Sequence, residues 1–286
     1  MSHGMHHHAL TTPSRFRLAQ WLGLWFPLAV MMLWALVALL GPLLPLAPDR
    51  IELSHILLPP GAEAVLGADD LGRSLLARVL AGGQTSFIVA VWVVLVSTLL
   101  GTAIGTLSGY VGGRWDGAVV RIIDIFLAFP GILLAIALAG ILGPGIENVV
   151  IALSVVGWVG YARLARAQVL SLKHRDHVQA AVALGAGTGR IVFRHLLPLI
   201  MAPLIVEASF GVAGIVIAEA GLSFLGLGVQ PPAASWGSMI RDGARYLLVA
   251  PHMVLVPGVA LMLVVLSVNL LGDRLRDRLD VRNQKR

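Results

Sequence analysis

Long apolar stretches alternate with short polar ones along almost the whole chain. Each apolar stretch is close to the ~20 residues that a helix needs to cross a bilayer. The pattern therefore predicts an all-α polytopic membrane protein with six transmembrane helices. The predicted spans cover residues 21–46, 85–109, 119–142, 149–170, 199–221 and 253–271.

The overall composition supports this class and excludes several others. The chain has 286 residues, of which 57% are hydrophobic and 13% are charged, and its mean hydropathy is +0.86. A water-soluble domain has no use for so much apolar surface, so we expect no large soluble domain. Cysteine is absent, which excludes disulfides and thiolate metal sites.

Lysine and arginine are distributed unevenly between the polar segments. The two tails together with residues 110–121 and 161–195 hold 16 of the 21 basic residues, and the remaining 5 lie in two excursions, 47–84 and 222–250. By the positive-inside rule, the tails 1–20 and 273–286 are cytoplasmic and both excursions are extracytoplasmic. The net charge of +6 is thus a topology signal, and we expect no nucleic-acid partner.

The first tail carries His3, His6, His7 and His8. Histidine side chains can collect metal ions, but no second cluster of ligands accompanies these four. We therefore predict an inert polar end and no metal site in the chain.

The most informative polar segment is Asp176–Pro198, with the sequence DHVQAAVALGAGTGRIVFRHLLP. We expect Asp176 to cap a short helix, with Gln179 reaching back as in a capping box. Gly185 should end that helix, because glycine permits the positive φ of a sharp reversal. Pro198 suits the first turn of the next apolar helix. The result would be a small, smooth helix shaped to dock into another protein's groove.

This segment resembles the EAA loop of ABC importer permeases, which contacts the cytoplasmic ATPase. Gln179 stands where the family has Glu, which keeps the hydrogen-bonding reach and removes the charge. The resemblance implies that the loop 174–198 couples ATP hydrolysis to transport, and that Ala181 and Gly185 tolerate little extra volume in the partner's cleft. The coupling residues implied are Asp176, Gln179, Ala180, Ala181, Gly185, His195 and Pro198.

Two extracytoplasmic motifs also resemble this family, in its dipeptide, oligopeptide and nickel branch (DppC- and OppC-like). The first, Leu66–Ser74, is similar to Leu-Gly-Thr-Asp-x-x-Gly-Arg-Asp, with Ala68 and Ser74 departing from it. We expect a tight loop here with an internal ion pair. The second follows the Glu-Ala-Gly-Leu-Ser-Phe-Leu-Gly run that begins at Glu219. The motif residues are Asp69, Gly72 and Arg73 in the first excursion and Ser235, Trp236 and Gly237 in the second.

The resemblance implies a type I ABC importer permease fold in the bacterial cytoplasmic (inner) membrane, with 85–272 as the five-helix core. It also implies a homologous second permease subunit, two cytoplasmic ABC ATPase subunits and an extracytoplasmic binding protein. Lys173 and Lys285 are the only lysines, and neither follows a Gly-x-x-x-x-Gly run, so the chain has no P-loop. ATP and Mg would be bound by the ATPase partners, with no cofactor in this chain. Peptides are the implied cargo, with nickel or a metal chelate as the alternative.

Glu207 and Glu219 are acidic residues in the fifth predicted span, and we consider both as candidates for the translocation path. A charged carboxylate facing lipid costs about 2.5–3.5 kcal/mol, so Glu207 should face the bundle interior, the second permease or a watery path. It would then favour a cationic or amine-bearing cargo. The alternative is a protonated Glu207 bonded to a neighbouring helix, without a role in transport.

Two rival functions use other features of the chain. An ion-driven secondary transporter would show broken helices in related positions of two halves, and no inverted repeat is obvious. An intramembrane serine protease would pair Ser223 with His252, but no residue is evident to orient the histidine. We therefore predict no catalytic residues.

Overall fold

The structure is a computed structural model that describes residues 14–279, so His3 to His8 and the end of the second tail lie outside the described part. Within residues 14–279 the regular elements are helices, and no strand is formed. The helices are α1 Ser14–Leu40, α2 Leu75–Val111, α3 Gly113–Leu127, α4 Gly131–Leu142, α5 Ile146–Leu172, α6 Asp176–Ala183, α7 Thr188–Ile191, α8 Leu197–Phe224, α9 Trp236–Ala244 and α10 His252–Leu279.

In the described part, four helical stretches are long and apolar enough to cross a membrane: α2, α5, α10 and the run from α7 through α8. The pair α3 and α4 makes a fifth if it counts as one span. Residues Leu24–Leu40 of α1 are apolar but shorter. The predicted total of six spans therefore stays a prediction.

The helix α2 begins earlier than the pattern predicted, at Leu75 and not at residue 85. Ser74 is its N-cap, and the hydroxyl accepts a hydrogen bond from the backbone N–H of Ala77. Gly82 and Gly83 lie inside the helix and do not end it. Their role is to let neighbouring elements pack closely on α2. A Cβ on Gly82 would lie 3.2 Å from the carbonyl carbon of Ser235, so glycine lets the start of α9 approach α2 closely. The first excursion therefore ends at Ser74.

The predicted third span, 119–142, is broken into α3 and α4, which meet at an angle of 87°. Pro130 explains the break, because proline disfavours helical geometry in the residue before it. Both halves still pack against α5. Asp116 of α3 pairs with Arg166 of α5, and Gly131 of α4 packs on Val156.

The centre of the bundle is the contact between α2 and α5. Gly101, Gly105 and Gly109 lie one turn apart on the face of α2 that meets α5. A Cβ on Gly105 would collide with the backbone carbonyl of Ala162, so only glycine permits this helix spacing. Small residues allow helices to approach closely in a membrane, where packing replaces the hydrophobic effect between helices.

The bundle has two ends, which we name after the short helices that cover them. The α9 end carries residues 41–74 and α9, and the α6 end carries α6 and α7 together with the last turns of α10. At the α9 end, Trp34 of α1 stacks on Trp236 of α9 with ring centroids 6.1 Å apart. Their indole N–H groups donate to the carbonyls of Gly83 and Val79 of α2, at 2.9 and 3.0 Å. Three helices are thereby joined.

Candidate functional site

The loop at the α6 end contains the helix and the glycine turn that the sequence predicted. The N–H of Gly185 donates to the carbonyl of Val182, and the N–H of Ala186 donates to the carbonyl of Ala181. This pair of bonds is a Schellman motif, which requires a left-handed residue after the helix. Gly185 has a φ of +78° and fills that position. Pro198 lies in the first turn of α8, as expected.

The predicted capping box is wrong. Arg175, and not Asp176, is the N-cap of α6, and it makes no side-chain capping bond. Asp176 instead lies in the first turn, where a negative charge is favoured by the helix dipole. The side-chain amide of Gln179 reaches past the cap and donates to the carbonyl of Lys173 at 2.9 Å. It thus satisfies a carbonyl at the end of α5, which the capping argument did not consider.

The loop 174–198 is held against the rest of the chain by an apolar cluster. The cluster joins residues of α5, the loop and α8, and it includes Val169, Leu172, Val178, Ile191, Leu196 and Ile200. Ala181 is also buried. Extra volume at Ala181 would therefore disturb the packing of this chain before it met any partner, which changes the reason expected for its intolerance.

The outer surface of the same loop remains open. Gln179, Ala180 and Gly185 are exposed, and Leu184 is 88% exposed. His195 is half-buried in the π-helical turn that precedes α8. The loop therefore has one side packed on this chain and one side without contacts in the described residues.

A polar clamp at the α6 end was missed by the sequence reasoning. Arg166 of α5 binds Asp116 of α3 with two parallel bonds of 2.6 and 2.8 Å. The hydroxyl of Ser108 donates to the same carboxylate at 2.6 Å, and Lys173 donates to the carbonyl of Gly109. The clamp ties α2, α3 and α5 together. Its signal was the presence of opposite charges at the same ends of neighbouring predicted spans.

At the α9 end, the first motif forms the internal ion pair that was expected. Arg73 Nε lies 2.6 Å from Asp69 Oδ2, while the backbone N–H groups of Leu71 and Arg73 donate to Oδ1. Gly72 has a φ of +74°, as its turn requires. Burial raises the pKa of the neighbouring Asp70 carboxyl; the charge of Asp69 adds to the rise and Arg73 opposes it.

Arg78 connects the two excursions, and sequence reasoning gave it no role beyond a charge count. Its guanidinium is buried, with Nε 3.4 Å from Asp69 Oδ2 in the first excursion. Its Nη1 donates to the carbonyl of Pro232 in the second, at 3.3 Å. His252, at the start of α10, also contacts the first excursion, since its Nε2 lies 3.3 Å from the carbonyl oxygen of Ala68.

The second motif begins α9. Ser235 is the N-cap and forms a capping box with Ser238. Gly237 faces α8, where a Cβ would collide with the backbone carbonyl of Ala220. The Ser-Trp-Gly sequence thus starts a helix, supplies the ring that stacks on Trp34 and allows contact with α8.

Glu219 is buried at the α9 end of α8, where it is 1% exposed. The hydroxyl of Ser86 on α2 donates to its Oε2, and the hydroxyl of Ser223 donates to its Oε1, both at 2.8 Å. The carboxylate therefore joins α2 to α8. These partners also leave no dyad between Ser223 and His252, because each is bonded elsewhere.

Glu207 has the opposite surroundings, although it lies on the same helix. Its side chain is exposed, and it lines a groove of about 460 Å³ with residues of α5 and α10. Within residues 24–279, no hydrogen bond or ion pair to Glu207 occurs. The sequence analysis offered the alternative of a Glu207 that is hydrogen-bonded to a neighbouring helix. No such bond is formed in this part of the chain.

Residues 101–285 match the family described as the inner membrane component of binding-protein-dependent transport systems. The chain belongs to this family.

Curated relatives agree with the assignment. The permease is 43% identical to the dipeptide transport system permease DppC of Alkalihalophilus pseudofirmus, over 86% of this chain and 81% of the relative. It is 42% identical to the glutathione transport permease GsiD of Pectobacterium atrosepticum, over 77% and 73%. It is also 40% identical to the nickel transport permease NikC of Escherichia coli, over 88% and 92%.

A solved structure of the MetNI methionine ABC transporter, in an inward-facing conformation, resembles the fold. Its TM-score is 0.55 at 19% identity, and the match covers 72% of this chain and 95% of the other. At this identity the likeness shows the fold alone. The predicted class, an all-α importer permease of the bacterial inner membrane, is confirmed. The permease is a transport subunit and not an enzyme, and the ion-driven alternative is not favoured.

Proposed function

We propose that this permease forms half of the translocation path of an ATP-driven peptide importer, with a homologous permease as the other half. Two ABC ATPase subunits bind at the α6 end, where they hold the ATP and Mg. An extracytoplasmic binding protein delivers cargo at the α9 end. Peptide cargo is supported by the similarity to DppC, a dipeptide transport permease.

The observation that carries the proposal is the two-sided loop at the α6 end. Its inner side is packed into the cluster with α5 and α8, while Ala180, Leu184 and Gly185 on its outer side are exposed. An ATPase that holds the outer side would move the loop. Because the inner side is close-packed, a displacement would pass to α5 and α8 without being absorbed by loose contacts.

The clamp between Asp116 and Arg166 extends this connection to a third helix. Arg166 lies on α5 one turn from Val169 of the apolar cluster, and Asp116 lies in the first turn of α3. Motion of α5 would therefore also act on the broken span formed by α3 and α4. The break at Pro130 gives that span a point at which to bend.

At the α9 end, the two excursions form one surface. Arg78 links the first excursion to the second, His252 links the first excursion to α10, and Trp236 ties α9 to α2. A binding protein that docks on this surface would contact elements that are connected to α2 and α8.

Transport by the assembled complex tests the proposal. Proteoliposomes would contain the permease, its partner permease and the ATPases, with ATP inside and the binding protein outside. We expect uptake of a labelled dipeptide when ATP and binding protein are both present, and none when either is omitted. Uptake that a proton gradient drives without ATP would overturn the proposal.

Nickel import is the second candidate, because the chain is 40% identical to NikC over 92% of that relative. The same proteoliposomes distinguish the two cargoes. Accumulation of radioactive nickel, with no uptake of the dipeptide, would replace peptides by a metal or its chelate as the cargo.

A further inference from the structure

The groove beside Glu207 lies at the α6 end, between α5, the first half of α8 and the last turns of α10. Its volume of about 460 Å³ falls within the ~300–1,000 Å³ typical of small-molecule sites. Most of its wall is apolar. The lining residues are Leu164, Ala202, Pro203, Val206, Glu207, Phe210, Arg276 and Leu279.

Two residues of opposite charge line this groove. Glu207 projects from α8 and Arg276 from α10, and both side chains are exposed. Their charged atoms are not within the 4.0 Å of an ion pair, and in residues 24–279 neither side chain has another ion-pair partner. A carboxylate and a guanidinium that line one cavity without neutralising each other are available to a ligand that carries both charges.

We propose that this groove holds a short peptide by its two termini, with the ammonium group on Glu207 and the carboxylate on Arg276. The inference rests on the proposed function. It adds where the peptide binds and which terminus contacts which residue. Arg276 can grip a carboxylate with two parallel bonds. Phe210, Val206 and Leu164 add apolar surface to the wall of the groove, which suits side chains of varied shape.

The chemistry separates this ligand from other cargo. A bare metal cation would use Glu207 and be repelled by Arg276. A molecule with one charge would leave the other groove residue unpaired. A zwitterion satisfies both residues, and a dipeptide or tripeptide with free ends is such a molecule.

The test varies the peptide termini and the two groove residues in turn. It uses the complete permease–ATPase complex in nanodiscs, without binding protein. Equilibrium binding is measured for a labelled dipeptide, its N-acetyl form and its C-terminal amide. In the natural complex each blocked form should bind at least about tenfold more weakly, as expected for a lost bond between charged groups.

The variants should abolish that discrimination selectively. Glu207→Gln should bind the free and N-acetyl peptides equally while it still discriminates against the amide, and Arg276→Gln should do the reverse. Glu147→Gln, at the start of α5, and Arg278→Gln, two residues beyond Arg276, are exposed and do not line the groove. Both should behave like the natural complex.

Either of two results would overturn the inference: unchanged discrimination in both groove variants, or no saturable binding of the free peptide. ATP-driven uptake, measured in parallel with the binding protein present, reports on the proposed function. A complex that imports the dipeptide while the groove variants discriminate normally would remove the groove site alone. A complex that imports no peptide would remove both.

Discussion

Glycines at the two ends of the bundle serve different purposes. At the α9 end, a Cβ on Gly237 would collide with the carbonyl of Ala220, and one on Gly72 with the carbonyl of Glu52. At the α6 end, a Cβ on Gly185, Gly187 or Gly189 would meet nothing within 4 Å. Gly72 and Gly237 therefore let elements of the α9 end pack closely, whereas the three glycines of the α6-end loop face open space.

The two glutamates of α8 follow the same division. Glu219 is enclosed at the α9 end and bonded to two hydroxyls, while Glu207 is exposed in the groove at the α6 end. The difference shows that the acid at the α9 end is satisfied by contacts within the chain. We propose that the exposed groups at the α6 end contact other molecules, the ATPase and the cargo.

The largest effect is expected from removal of the enclosed carboxylate. Glu219→Ala leaves a cavity and two serine hydroxyls without their acceptor, so it should lower the free energy of unfolding by about 3–5 kcal/mol. Glu219→Gln, which keeps the shape, should lose less. Denaturant titration in mixed micelles measures both, with Glu207→Ala as the matched control. Equal losses at the two glutamates would remove the distinction between the ends.

A smaller loss is expected when a glycine at the α9 end gains a methyl group. Gly237→Ala forces α9 away from α8, and overpacking of this kind costs about 1–3 kcal/mol. Gly189→Ala, at the α6 end, should cost nothing, since the methyl group enters open space. The unfolding midpoints of the two variants provide the check, and a Gly189 variant as unstable as the Gly237 variant would contradict it.

Gly185→Ala should cost only about 1 kcal/mol in stability, from the left-handed backbone, but it should impair transport. The substitution alters the turn that shapes the surface on which we propose the ATPase docks. ATP-driven uptake and the amount of ATPase that co-purifies should both fall, while Gly189→Ala leaves them unchanged. If uptake survives in the Gly185 variant, the turn has no part in docking.

The smallest effect concerns Asp70, whose carboxyl pKa is raised by burial, so that the folded state binds a proton there more tightly than the unfolded state does. Its contribution to stability is fully present below the ordinary pKa of the carboxyl, and it is lost as the pH rises through the raised value. Asp70→Asn should flatten this part of the profile of unfolding midpoint against pH. Glu63→Gln, exposed in the same excursion, should leave the profile as it was.

Sequence reasoning recovered what depends on neighbours along the chain. The apolar pattern located the helices, and the glycine turn at Gly185 followed from local backbone chemistry. It misplaced the start of α2, because Gly82 and Gly83 look like helix breakers until α9 is seen against them. It also missed the bond from Arg166 to Asp116, 50 residues apart, which only tertiary contact reveals.

The different surroundings of Glu207 and Glu219 were equally hidden. Both are acids within one apolar span, and the same argument about the cost of a charge applies to each. Burial distinguishes them, and burial depends on how α2 and α10 pack beside α8. The sequence pattern carries no such information for a single residue.

Cross-linking tests the central claim, that the outer side of the α6-end loop docks on the ATPase, most directly. The chain contains no cysteine, so one can be placed at Leu184, which is 88% exposed at the α6 end, or at Leu248, which is 98% exposed at the α9 end. In the assembled transporter, a thiol cross-linker should join Leu184→Cys to an ATPase subunit and leave Leu248→Cys unlinked. An ATPase joined to Leu248→Cys, or a Leu184→Cys transporter that imports peptide yet never links, would contradict the account.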